Sequence, residues 1–181
     1  MKNSTRAFSG IREIAAGPAA RFYVFATFVG VVFFMGGGSR DDIQSLVVLR
    51  PLAVLFCAYA LVVKVSKQWK GRLAPLYIVS SLSILMVVQL VPLPPSIWAE
   101  LSGRQIFADI AATAELAQPW RPLTLSPSNT LNSLFSLAVP IAAIMLYLNL
   151  DKDDRKRTLT VIVVFCLVSA LWGMLQMAGP S

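Results

Sequence analysis

The stretch Leu90-Val91-Pro92-Leu93-Pro94-Pro95-Ser96-Ile97-Trp98, answered by Gln118-Pro119-Trp120-Arg121-Pro122-Leu123-Thr124-Leu125-Ser126-Pro127-Ser128-Asn129, decides how the chain is read. On both sides of it lie apolar runs about long enough to cross a bilayer, and between the two motifs lies the one long excursion from that pattern. Proline cannot donate a backbone hydrogen bond or continue a helix, so Pro92, Pro94 and Pro95 end the run before them. The rest of the chain is then a question of which runs span and on which side this region falls.

Composition points to a membrane. Of 181 residues, 56% are hydrophobic and 14% charged, against about 25% charged in an ordinary soluble domain. The net charge is +7. The basic residues come in short clusters between apolar runs, the way topology is written in membrane proteins, and are not interleaved with aromatics as in a nucleic-acid module. Nucleic acid is therefore not an expected partner; membrane lipids are. The sequence has no histidine, which excludes a histidine base, triad or metal ligand in this polypeptide. Cys57 and Cys166 fall in separate apolar runs, and the expectation is two buried, reduced thiols. No metal site, cofactor or catalytic residue is expected.

The fold class is all-α: a polytopic transmembrane helical bundle of about five spans, at 22–38, 43–65, 73–93, 131–150 and 159–178, behind a basic tail at 1–21. A span needs about 20 residues at ~1.5 Å each to cover ~30 Å of hydrocarbon. The first run is short and has a basic start, which also describes a signal peptide. Its bulky Phe22, Tyr23, Phe25, Phe28, Phe33 and Phe34, and the turn-like Gly36-Gly37-Gly38-Ser39, favour a retained span. Pro51 and Pro140 predict kinks in the second and fourth runs. Pro75 lies in the first turn of the third, where a missing N–H costs little.

The basic residues orient these runs. With the N-terminus inside, the inner segments hold Lys2, Arg6, Arg12 and Arg21; Lys64, Lys67, Lys70 and Arg72; and Lys152, Arg155, Lys156 and Arg157. The outer segments hold Arg40, Arg104 and Arg121. This places the loop at 94–130 and the C-terminus outside. Within the loop, 96–117 is expected to form a short helix on the membrane interface, with Trp98 and Trp120 at headgroup depth. The segment 120–127 is expected to be extended, and Ser128, Asn129 and Thr130 to cap the next helix.

The proline-bracketed motifs, with Gly36-Gly37-Gly38-Ser39-Arg40, Leu49-Arg50-Pro51-Leu52 and Leu171-Trp172-Gly173-Met174-Leu175-Gln176, resemble the amino-terminal region of the O-antigen ligase-like family. The resemblance implies a multi-span glycosyltransferase of the bacterial inner membrane. Such enzymes join or polymerise glycans carried on a polyprenyl diphosphate at the periplasmic face, without metal or nucleotide sugar. It covers only the first part of such a protein. The family's functional arginine and histidine residues lie in a later periplasmic loop, so no catalytic residue carries over, and the chain alone is expected to be inactive. The alternative is a non-catalytic accessory or scaffold membrane protein, and a complementing membrane subunit is a candidate partner in either case.

Three arginines are candidates for a carrier diphosphate. Arg50 lies about 10 Å into its span at helical rise. An arginine at mid-bilayer costs roughly 2.5–3.5 kcal/mol on insertion scales, so it either faces a ligand or snorkels to headgroups. Arg121, between Trp120 and Pro122, either contacts the carrier or pins the loop to headgroups. Arg40, beside Asp41 and Asp42, is a ligand or a solvated turn. Glu100, Asp109 and Glu115 lack the setting of a glycosidase carboxylate pair.

Overall fold

The computed structural model describes residues 17–35 and 45–178. Helix α1 (Pro18–Phe34) starts at Pro18, whose fixed φ suits a first turn and whose missing N–H would have no partner there. Arg21, counted with the basic tail in the sequence, is therefore a helical residue. Helix α2 (Ser45–Val62) continues as one helix through Pro51. The short α3 (Ser66–Trp69) and then α4 (Ala74–Leu90) follow. Strand β1 (Pro92–Leu93), α5 (Pro95–Trp98), α6 (Gln105–Thr113) and β2 (Arg121–Pro122) come next. Helices α7 (Pro127–Ser136), α8 (Ala138–Leu148) and α9 (Lys152–Ala178) complete the order.

The protein is mostly helical, and three stretches of helix among the described residues are long and apolar enough to cross a membrane: Ser45–Val62, Pro127–Leu148 and Lys152–Leu175. The other two expected spans are shorter. Helices α1 and α4 have 17 residues each, which at helical rise is ~26 Å against ~30 Å of hydrocarbon. Parts of the first two expected runs, 36–38 and 43–44, lie outside the described residues.

The Pro140 kink is expressed as a break at Leu137. Proline at 140 cannot bond the carbonyl of Ser136 and crowds that turn. The turn before it tightens, and the Leu137 N–H is shared between Ser133 O at 3.3 Å and Leu134 O at 3.2 Å. At the other end, the charged run before 159 proves helical. Asp153 and Asp154 occupy the first turn of α9, where carboxylates suit the helix dipole. Arg157 lies 3.5 Å from Asp154, one turn away.

The chain forms two compact units: a bundle unit up to Leu76 and from Ala138, and a loop unit, Tyr77–Leu137. In the bundle unit, Leu46, Leu49, Ala53 and Ala60 make one buried face of α2. Val139, Ala142, Met145 and Leu146 make the buried face of α8, which packs against it. Ala53, Ala60 and Ala142 are wholly buried; small residues let helix backbones approach, which favours helix association in lipid. Phe28 of α1 seals the contact, its ring 4.8 Å from Phe56. Helix α9 touches α1 through Phe165 on Phe33 at 4.8 Å and otherwise exposes most of its apolar side chains. Cys166 is exposed there and Cys57 half-buried, so neither is the fully buried thiol expected.

One side chain gathers the helix ends. Asn149, 1% exposed, follows α8. Its Nδ2 donates to Ala60 O at 2.7 Å, and its Oδ1 accepts from Val65 N at 3.1 Å and Trp69 Nε1 at 2.8 Å. Arg21 Nη1 donates to the Asn149 carbonyl at 2.6 Å. Asp151 completes the clasp, accepting from Gln68 Nε2 at 2.6 Å and lying 3.6 Å from Arg21. The start of α1, the end of α2, α3 and the end of α8 are thereby tied together, bringing Arg21 and the basic segments at 64–72 and 152–157 to one end of the unit.

Candidate functional site

The loop unit is organised by its prolines. Helix α4 stops at Leu90 because Pro92 cannot continue it, and Pro92-Leu93 pairs antiparallel with Arg121-Pro122. The register sets Pro92 opposite Pro122 and Leu93 opposite Arg121. Two facing prolines offer no N–H to a ladder, which keeps the pairing this short. A further backbone bond, Thr124 N to Gln89 O at 3.0 Å, holds the returning segment to the end of α4.

Trp98 is the centre of this unit. It is 3% exposed, packed against the unit's own residues, whereas Trp120 is 65% exposed. Trp98 Nε1 donates to Pro122 O at 3.0 Å, so its acceptor comes from the returning strand. Phe107 meets the indole edge-on at 6.1 Å. The single helix expected over 96–117 is broken into α5 and α6 at Gly103, whose φ of +77° is left-handed. That conformation suits glycine, and it turns the chain so that Arg104 can come back over Trp98.

Two guanidinium groups meet the same ring. Arg104 lies 4.8 Å from the Trp98 centroid and Arg121 5.0 Å. They are therefore less than ~10 Å apart; at that limit their repulsion is ~0.4 kcal/mol in water and ~1.7 kcal/mol at an effective dielectric constant of 20. Cation–π attraction, worth roughly 0.5–2 kcal/mol per pair, offsets it. Arg104 is buried and donates from Nη2 to Leu123 O, while its buried Nη1 has no hydrogen-bond partner. Among the described residues no carboxylate lies within ion-pair distance of either arginine. The arrangement can receive an anion.

The three arginines singled out in the sequence are placed as follows. Arg121 sits on β2 in the loop unit, and Arg50, half-buried on α2, belongs to the bundle unit. Arg40 lies outside the described residues. Arg104, counted in the sequence only as an outer charge, is the residue brought to Arg121. The available signals were Gly103 before it and the two proline motifs that pair. Ser128, Asn129 and Thr130 do not cap α7, which starts at Pro127 after Ser126. Instead the Thr124 and Thr130 hydroxyls meet at 2.9 Å. No group of potential metal ligands occurs among the described residues.

The class defined by these features is a helical protein with stretches able to span a membrane and an arginine-flanked tryptophan in a proline-bracketed unit. Comparison with known proteins found no matching family model, curated protein or solved structure.

Proposed function

We propose that the chain is the amino-terminal membrane portion of an O-antigen ligase-like glycosyltransferase of the bacterial inner membrane. Its N-terminus is cytoplasmic, and its loop unit faces the periplasm. Arg121, with Arg104 beside it, receives the diphosphate of a polyprenyl-linked glycan, and the role is carrier binding, not bond chemistry. One observation carries this reading. The two proline motifs, which carry part of the resemblance, contain the two strands that pair, and the paired unit holds two arginines with no carboxylate partner among the described residues. A guanidinium suits a diphosphate because its fork of N–H donors binds phosphate oxygens in pairs.

The test is binding of undecaprenyl diphosphate by the full chain in detergent, with undecaprenol as the uncharged control. Arg121→Gln is expected to weaken diphosphate binding by roughly 10-fold or more, the worth of a charged hydrogen bond. Equal binding of the alcohol and the diphosphate would sink the reading. Orientation is checked separately in a chain with Cys57 and Cys166 replaced by serine. An impermeant thiol reagent on intact cells should label Trp120→Cys and spare Lys67→Cys.

A scaffold role is the second reading. It is favoured by the commitment of Arg104 to the Leu123 carbonyl and the Trp98 face, a structural use of that charge. In that case Arg121→Gln leaves carrier binding unchanged.

A further inference from the structure

Two cavities of the bundle unit share Arg72. One, about 460 Å³, is polar and lined by Lys67, Gln68, Lys70, Arg72, Asp151 and Lys152. The other, about 490 Å³, is apolar; Phe25, Pro75, Ile144, Leu148 and Ile162 line it together with Arg72. We propose that the pair holds one anionic phospholipid, its phosphate among the cations and an acyl chain along the apolar wall.

Four cations from two separate segments face the polar cavity, and its one carboxylate, Asp151, is already engaged by Gln68 and Arg21. Among the described residues no carboxylate lies within ion-pair distance of Lys67, Lys70, Arg72 or Lys152. A phosphodiester supplies the missing counter-charge, and Arg72 can bind two of its oxygens at once. Polar and apolar space also join at one arginine. A soluble phosphate would need only the polar cavity; an amphiphile uses both. The site lies where α3 and the start of α4 meet the α8–α9 junction, at the passage from apolar to charged residues, the depth at which lipid headgroups sit. The proposal concerns the bundle unit and stands apart from the carrier site of the loop unit.

The experiment is native mass spectrometry of the delipidated full chain reloaded with dioleoyl phosphatidylglycerol, dioleoyl phosphatidylcholine or excess inorganic phosphate. Phosphatidylglycerol is expected to be retained in preference to phosphatidylcholine and to resist inorganic phosphate. Lys67→Gln with Arg72→Gln should lower its retention roughly 25-fold, at about fivefold per charge. Lys156→Gln with Arg157→Gln removes as much charge outside the cavity and should leave retention unchanged. Ala143 also lines the apolar cavity, so Ala143→Trp, which fills it, should weaken dioleoyl but not dihexanoyl phosphatidylglycerol. Equal retention of the two headgroups, displacement by inorganic phosphate, an equal loss in the control pair, or no distinction between the two chain lengths would overturn the proposal. Should a variant fail to fold, added salt on the unaltered chain decides: phosphatidylglycerol retention must fall with ionic strength while phosphatidylcholine retention does not.

Discussion

Each unit of the molecule is built on a buried tryptophan, and the two are finished differently. In the bundle unit, Trp69 donates to Asn149 Oδ1 at 2.8 Å, under a cation, Lys64, 4.6 Å from its ring. In the loop unit, Trp98 donates to Pro122 O at 3.0 Å, beneath two cations. The difference lies in what surrounds the indole. In the clasp that holds Trp69 the buried arginine, Arg21, has both a carbonyl and Asp151. Around Trp98 the buried arginine, Arg104, has a carbonyl and no carboxylate, and one of its nitrogens has no hydrogen-bond partner. The first is a closed clasp. The second carries charge that its described neighbours do not balance, the charge that the proposed carrier diphosphate would neutralise.

The Trp69 clasp depends most on Asn149. Asn149→Leu leaves Ala60 O, Val65 N and Trp69 Nε1 without these partners. At about 1–3 kcal/mol for each buried group so stranded, the expected loss is roughly 3–5 kcal/mol. Thermal unfolding followed by circular dichroism in detergent reads it. A loss below ~1 kcal/mol would mean that water replaces the clasp.

Trp98→Phe should act less strongly and only on the loop unit. It removes one hydrogen bond and part of the surface on which the two arginines stack, for an expected loss of about 1–3 kcal/mol. Hydrogen exchange should quicken at Thr124 N, which bonds Gln89 O, and stay unchanged at Val65 N. Faster exchange at both would show that the two tryptophan centres are not independent.

The smallest expected effect has the opposite sign. Helix α6 ends with Leu116 N bonded to Ala111 O and Glu115 N to Ala112 O, a closing turn that puts Glu115 at φ 55°. Glycine is the usual residue there, since a side chain is strained in the left-handed region. Glu115→Gly should stabilise the loop unit by about 0.5–1 kcal/mol, seen as slower exchange at Leu116 N. No slowing would indicate that the added freedom of the unfolded chain cancels the relief.

Much of the architecture was legible in the order of the residues. Proline explains the end of α4 and the start of α1, because its missing N–H acts through local backbone geometry alone. It also anticipated disruption in the fourth run, though the break falls at Leu137, ahead of Pro140. The site was less legible. Arg104 and Arg121 are separated by a helix, and their meeting depends on a left-handed Gly103 and a two-residue strand pair. Neither is signalled by hydropathy or charge counts.

What the sequence determined by itself is the alternation of apolar runs with basic clusters, and the proline punctuation between them. Those follow from transfer energies and from a covalent ring, and they need no neighbour in space. Tertiary structure alone decided that Asn149 would gather the helix ends, that Trp98 would be buried and that Arg104 would join Arg121. Each of these is a contact between distant residues, and a hydrogen bond or a stacked cation exists only when packing brings both partners within a few ångströms.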